Sequence, residues 1–338
     1  MHRVIIVGLG PIGISCARTV ACTRNLELVG LVDTDPQKQE RPASDFIEPA
    51  PPGTGHVHVT SNLNAAMDRD IDVAVVTTTS SFMDICPLLR QLIEQKVHVV
   101  SSCEQMAWPW YRHSAEADKI DAEAADAGCT ILGTGVNPGF VMDTLAVTLS
   151  SMVTQLTAVR CVRRVDAALR REPLQKKIGV TMSVQDFSTW ADTKRIGHQG
   201  LGESVALLAA GLGRTIPPGC VHETLEPVVA TRPIESALGM ISPGTVAGMR
   251  NRGIWHGDDL TIELDLTLSV GLDDTRDQVL IEGPVPLDLL ISNAIPGDSA
   301  TVASLINQIP KVCTVTPGLR TMLDMPPAGC VEGRPPLR

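Results

Sequence analysis

Short apolar runs alternate with stretches of helical period through the first 135 residues of the chain. The runs Arg3 to Val7, Glu27 to Val32, Val57 to Val59, Ile71 to Thr77, Val97 to Ser101 and Thr130 to Gly133 read as strands, and Pro11 to about Cys22 as the first helix. Strand and helix in alternation predict a doubly wound parallel sheet, an α/β Rossmann domain. Between Asp35 and His56 the pattern lapses, and Pro36, Pro42, Pro49, Pro51, Pro52, Gly53 and Gly55 predict a surface loop.

After Gly139 the pattern changes to longer alternating stretches. Thr157 to Val165, Leu260 to Val270 and Arg276 to Glu282 alternate as half-buried strands do, with helical segments around Gln185 to Lys194 and Leu201 to Leu212. This is the pattern of an α+β domain with a mostly antiparallel sheet. The chain returns to helix at Ser299 to Ile309 and ends in Pro- and Gly-rich turns from Pro317 onward, a tail expected to pack back on the first domain. The expected organisation is a dinucleotide-binding domain over 1–137, an α+β domain over 138–297 and a returning segment over 298–338.

Composition narrows the chemistry. A chain of 338 residues suits two domains of ~100–200 residues each. Aromatic residues are scarce, so Val, Ile, Leu and Ala must fill the core, as parallel sheets covered by helices require. The net charge of −10 argues against nucleic acid and anionic membrane surfaces and fits small-molecule partners, cations included. Nine scattered cysteines without a Cys-x-x-Cys pair read as reduced thiols used as small apolar residues, and no zinc pattern or other metal signature appears. With no leader or signal pattern and no apolar run of ~18 to 20 residues, the chain reads as cytoplasmic.

A nucleotide signal stands at Gly8-Leu9-Gly10-Pro11-Ile12-Gly13, between the first strand and the first helix. Gly8 permits a tight turn, Gly10 lets backbone approach a pyrophosphate, and Gly13 lets the helix sit close to the sheet. The helix aims its N-terminal dipole at the phosphates, and Pro11 loses nothing there by lacking an N–H. Asp33, ending the second strand, can accept from ribose hydroxyls and repel a 2′-phosphate, which favours NAD over NADP. Lys38 and Arg41 lie close behind and soften that preference, so NADP stays admitted.

In an open parallel sheet ligands bind beyond the carboxyl ends of the strands, and three such ends carry candidate chemistry. Thr77-Thr78-Thr79-Ser80-Ser81 either lines the nicotinamide ribose or caps the next helix. Glu104, in Ser101-Ser102-Cys103-Glu104-Gln105-Met106, is either a solvated acid near a helix start or a general acid/base beside the nicotinamide. Asn137, in Gly133-Thr134-Gly135-Val136-Asn137-Pro138-Gly139-Phe140, offers a donor and an acceptor at the domain junction and also fits an Asn-Pro turn.

Taken with Gln175-Lys176-Lys177-Ile178-Gly179, Gly197-His198-Gln199-Gly200-Leu201-Gly202-Glu203-Ser204, Gly297-Asp298-Ser299-Ala300-Thr301 and Pro317-Gly318-Leu319-Arg320-Thr321-Met322, these segments resemble the 2,4-diaminopentanoate dehydrogenase family. Its relatives are the native amine dehydrogenases, within the wider dihydrodipicolinate reductase-like group. The resemblance spans nearly the whole chain. It implies that Glu104 is the catalytic carboxylate, that Asn137 and Pro138 lie along the cofactor, and that no metal takes part; Cys103, next to Glu104, is a further candidate for cofactor contact. It also implies a homodimer whose second domain supplies the substrate pocket and an antiparallel sheet for association. The implied reaction is NAD(P)-dependent, reversible oxidative deamination of an amine to a ketone or aldehyde and ammonia. The His-His pair and Lys-Pro-Ser-Gly-Thr motif of the dihydrodipicolinate reductases themselves are absent, which disfavours that reaction. Positional candidates for the substrate wall are Val136, Phe140 and Val141, with His256 and Thr301 approaching from the second domain. Two rival readings remain: a homoserine dehydrogenase-like oxidoreductase of an amino or hydroxy acid, and a non-catalytic NAD(H)-binding regulator.

Overall fold

Strand β1 (His2–Val7) leads into α1 (Pro11–Cys22), β2 (Leu26–Val32), β3 (Val59–Thr60), α2 (Leu63–Ala66), β4 (Val73–Val76), α3 (Phe82–Glu94), β5 (His98–Ser101), α4 (Trp110–Ala127) and β6 (Thr130–Gly133). The chain continues through α5 (Thr144–Ser150), β7 (Ala158–Asp166), α6 (Glu172–Lys177), α7 (Val184–Asp192), α8 (Leu201–Gly211), β8 (His222–Val229), β9 (Ile234–Ser236), β10 (Gly239–Ile241), β11 (Val246–His256), β12 (Thr261–Ser269), β13 (Arg276–Glu282) and β14 (Leu287–Ser292). It closes with α9 (Gly297–Val312) and β15 (Gly318–Arg320). This computed structural model describes residues 1–48, 54–67, 70–168, 170–193 and 195–333. Two units emerge, one spanning Met1–Gly139 and resuming at Pro296, the other Phe140–Ile295.

The first unit is a seven-stranded parallel sheet in the order β15-β6-β5-β4-β1-β2-β3. Val4, Ile5, Ile6 and every residue of β4 are fully buried, because helices cover both faces and leave no polar side. Helix α9 packs on α1, with Leu305, Ile306 and Ile309 joining the core beneath β1 and β2.

Two expectations for this unit need correction. The tail after Pro317 is not only turns: β15 adds a parallel strand beside β6, with Gly318 opposite Thr130. Asp121 Oδ1 accepts the Leu319 N–H at 2.8 Å and an Arg320 N–H at 3.0 Å, a tether that a three-residue strand needs. The segment after Asp35 is not only surface either, since Ala43 and Ile47 are fully buried in the core that holds α1 and β2. Val57 bonds back to Ala43 and Thr54, so the third strand starts at Val59. Pro49, Pro51, Pro52 and Gly53 lie outside the described residues.

The second unit is a six-stranded sheet in the order β14-β13-β7-β12-β11-β8, antiparallel at every pair but β7–β12, with β9–β10 as a separate ribbon. Strands β8, β11 and β14 were not foreseen, and Lys194, the expected end of one helical segment, lies outside the described residues. At the core of the sheet Arg163 Nη1 donates to both Asp277 oxygens at 2.6 and 2.7 Å. Arg163 Nη2 reaches the Ile295 carbonyl, and the Ile295 N–H returns to Asp277, each at 2.7 Å. That buried pair fastens the last residue before the chain returns to the first unit.

Candidate active site

The glycine loop has almost no slack. Gly8 holds φ +91°, and a Cβ on Gly13 would stand 1.8 Å from the Gly8 carbonyl oxygen. A Cβ on Gly10, by contrast, would meet nothing within 4 Å. Gly10 also caps α1, Pro11 is the first helical residue, and no side chain caps that helix start. Open space before a helix N-terminus is the cradle a pyrophosphate needs, so these residues fit a dinucleotide. Thr77 Oγ1 donates to the Gly8 carbonyl at 2.8 Å and so braces the loop. Thr78 is exposed beside it, while Ser81 accepts the Asp84 N–H at 3.3 Å and caps α3. The hydroxyl run therefore divides into a loop brace and a helix cap.

Asp33 sits at the end of β2, beside the loop. Its Oδ2 accepts the Leu9 N–H at 2.6 Å and Lys38 Nζ at 3.1 Å, and its Oδ1 accepts the Asp35 N–H at 2.8 Å. Burial opposes the charge, but the Asp35 and Leu9 N–H groups and the Lys38 ammonium outweigh it and hold the carboxyl below its ordinary range. Arg41 is engaged elsewhere: its Nε donates to Asp45 at 3.0 Å and its guanidinium lies 4.8 Å from the Phe46 ring centre. Only Lys38 of the two nearby cations touches Asp33.

Glu104 opens a 3₁₀ turn, Glu104–Ala107, directly beyond the carboxyl end of β5, and is half-buried. The turn is pinned to the neighbouring strand end. Gln105 donates its N–H to the Ser80 carbonyl at 3.3 Å, and its Oε1 accepts the Phe82 N–H at 2.7 Å. The buried Ser101 hydroxyl donates to the Val76 carbonyl and accepts the Cys103 N–H, both at 3.1 Å. Cys103 packs its thiol into the core, where burial first and the Glu104 charge second push its pKa up to about 12, leaving its backbone as the part able to face a cofactor. Sequence reasoning missed Gln105 as the residue that fixes the turn. Its only signal was position, next to the acid.

Beyond β6, the Thr134 N–H donates to the Ser101 carbonyl at 2.9 Å, while the buried Thr134 hydroxyl finds no partner among the described residues. The Asn137–Pro138 peptide is cis. Val136 is buried in the first unit; in the second, Val141 is buried and Phe140 is 39% exposed. His256 ends β11 in an exposed position, with Nδ1 3.2 Å from Thr261 Oγ1. Thr301 does not belong to the second unit as expected: it lies on α9, which the burial of Leu305, Ile306 and Ile309 ties to the first. Gln175, fully buried, donates to the Ala167 carbonyl at 2.8 Å and accepts the Ala237 N–H at 3.1 Å. Ser204 donates to Asp143 Oδ2 at 2.7 Å. Both motif segments thus hold the second unit's own architecture. Among the described residues no group of three or more His, Cys, Asp or Glu could hold a metal ion.

Residues 140–335 match the model of the 2,4-diaminopentanoate dehydrogenase C-terminal domain. The chain belongs to this family. Residues 2–135 match the oxidoreductase family with an NAD-binding Rossmann fold, so the first unit is the NAD-binding part of an oxidoreductase. The chain is 28% identical to 2,4-diaminopentanoate dehydrogenase of Acetoanaerobium sticklandii, covering 98% of this chain and 95% of that one. It is 22% identical to an amine dehydrogenase of Streptomyces virginiae, covering 96% of each. The solved structure of amine dehydrogenase from Mycobacterium smegmatis shares the fold, with a TM-score of 0.85, 22% identity and 97% coverage of both chains.

Proposed function

We propose that this chain catalyses the reversible, NAD-dependent oxidative deamination of an amine, with Glu104 as the proton-handling carboxylate. The observation that carries the reading is the placement of Glu104: the first residue of a pinned turn, beyond the carboxyl end of a strand near the middle of the sheet. Family membership and the amine dehydrogenase relatives support the substrate class. When bound, NAD supplies the hydride acceptor. In the reductive direction Glu104 takes a proton from ammonium, returns one as water leaves the carbinolamine, and steadies the cationic iminium by its charge. Gly8, Gly10, Pro11, Ile12, Gly13 and Asp33 hold the adenosine and pyrophosphate end, while Thr77, Thr78, Cys103, Asn137 and Pro138 serve the nicotinamide end. Val136 and Thr301 in the first unit and Phe140, Val141 and His256 in the second are our candidates for contact with the organic substrate. The second unit doubles as the association surface of a cytoplasmic homodimer, a reading in keeping with the exposed Leu290 and Val229 on the two edge strands of its sheet.

Glu104→Gln is expected to leave NADH affinity unchanged and to cut ammonia-dependent turnover of a ketone or aldehyde by ~10² to 10⁴. Steady-state assays with a carbonyl panel, with and without ammonia, check this. Wild-type turnover by the variant sinks the role of Glu104, and carbonyl reduction indifferent to ammonia sinks the amine reaction.

A further inference from the structure

We propose that Lys38 is a specificity-determining residue of the cofactor site: its ammonium, shared between Asp33 and Asp35, sets how far the site tolerates a 2′-phosphate and so the ratio of NADP to NAD affinity. Lys38 Nζ stands 3.1 Å from Asp33 Oδ2 and 3.4 Å from Asp35 Oδ2. The Lys38 side chain is only 23% exposed and that of Asp33 12%, so the ammonium is held in place rather than free in solvent. One hydrogen bond, Leu9 N–H to Asp33, joins this group to the glycine loop. Gln39 Nε2 donates to the backbone carbonyls of Asp33 and Asp35, so the turn that presents all three charges is tied down from the same segment.

Charge counting gives the consequence. Two carboxylates and one ammonium leave a net −1 at the end of β2. Without Lys38 the sum is −2, and without the Asp35 charge it is zero. A doubly charged phosphate monoester on the ribose feels each step, whereas the neutral hydroxyl of NAD does not. Arg41 cannot substitute while it is bonded to Asp45 and stacked on Phe46. A cleft of about 510 Å³ lined by Gln39, Glu40, His58, Val59, Thr60 and Ser61 shares Gln39 with this turn and brings one further carboxylate, Glu40. Lys38 is thus the cation that keeps a mostly acidic corner from excluding a phosphate outright. This inference rests on NAD binding by the first unit and is independent of which substrate is oxidised.

Fluorescence titration of the intact protein with NADH and NADPH, without substrate, tests it. Lys38→Met is expected to weaken NADPH about tenfold while NADH stays within about twofold, and Asp35→Asn to tighten NADPH by a similar factor. Both effects should shrink in high salt, because they are charge effects at a partly exposed site. Equal changes for the two cofactors in Lys38→Met, an unchanged NADPH affinity, or a wild-type protein that binds NADH but no NADPH at all each overturn the proposal. NADH affinity in each variant reports on folding and on the nucleotide site itself. Its loss in the wild type would fault NAD binding rather than the role of Lys38.

Discussion

At Gly13 an added methyl meets the Gly8 carbonyl oxygen at 1.8 Å, and at Gly10 it meets nothing within 4 Å. Packing therefore demands a glycine at the first position and not at the second, where our proposal puts the demand on the ligand. Gly13→Ala is expected to lower the melting temperature by several degrees or to prevent accumulation of folded protein, because backbone must move to admit the methyl. Gly10→Ala is expected to leave the melting temperature within about a degree and to weaken NADH by roughly tenfold or more, since the methyl fills space a pyrophosphate needs. Scanning calorimetry and NADH titration of both variants separate these outcomes. The glycines and Asp33 were legible in the sequence because their spacing along one strand–turn–helix unit is itself the signal. The anchoring of Gln105 to Phe82 was not, because the two lie 23 positions apart and nothing local marks the pair. The difference between Lys38 and Arg41 was equally hidden, since only the fold decides which cation faces Asp33.

At the scale of elements, β12 shows how the second sheet manages charge within its layers. Asp265 on β12 accepts from Arg250 on β11 at 2.9 and 2.7 Å and from Arg160 on β7 at 3.4 Å. Burial raises the cost of its charge, but Arg250 and then Arg160 more than offset it and hold the carboxyl below its ordinary range. A carboxyl depressed in the folded state stabilises that state above its unfolded pKa of about 3.9, and the contribution fades as pH falls through the folded value. Asp265→Asn is expected to lose roughly 1–3 kcal/mol at neutral pH and to show a flatter decline below about pH 4 than the wild type. Urea midpoints measured from pH 7 to pH 3 check both. The same charges explain why β11 was hard to foresee. Its Arg250, Asn251 and Arg252 interrupt the apolar run, yet Asn251 is buried and both arginines are half-buried against carboxylates on the adjacent strand. Strand β8 escaped notice for another reason, since it is an edge strand containing Pro227 and shows no fully buried position. The near-continuous apolar runs of β1, β2, β4, β5 and β6 have fewer such interruptions and were readable in order, whereas the three-residue β15 was hidden in a tail read as turns.

At the scale of the molecule, the nucleotide-binding unit is assembled from both ends of the chain. Leu305, Ile306, Ile309 and Val312 on α9 are each 1% exposed or less. At about 1.5–3 kcal/mol for each buried side chain, their loss rivals the ~5–15 kcal/mol by which a domain is stable at all. A chain ending at Ile295 is therefore expected to bind no NADH, which titration and circular dichroism of the truncated protein can check. Retention of NADH affinity would mean that α9 and β15 decorate the sheet rather than complete it.

That arrangement also fixes an order of events at the ribosome. The inserted half emerges whole while the half that must grip the dinucleotide still waits for its last helix and edge strand. If that helix and strand are required for binding, as the truncation tests, NAD can act on the polypeptide only once both have emerged.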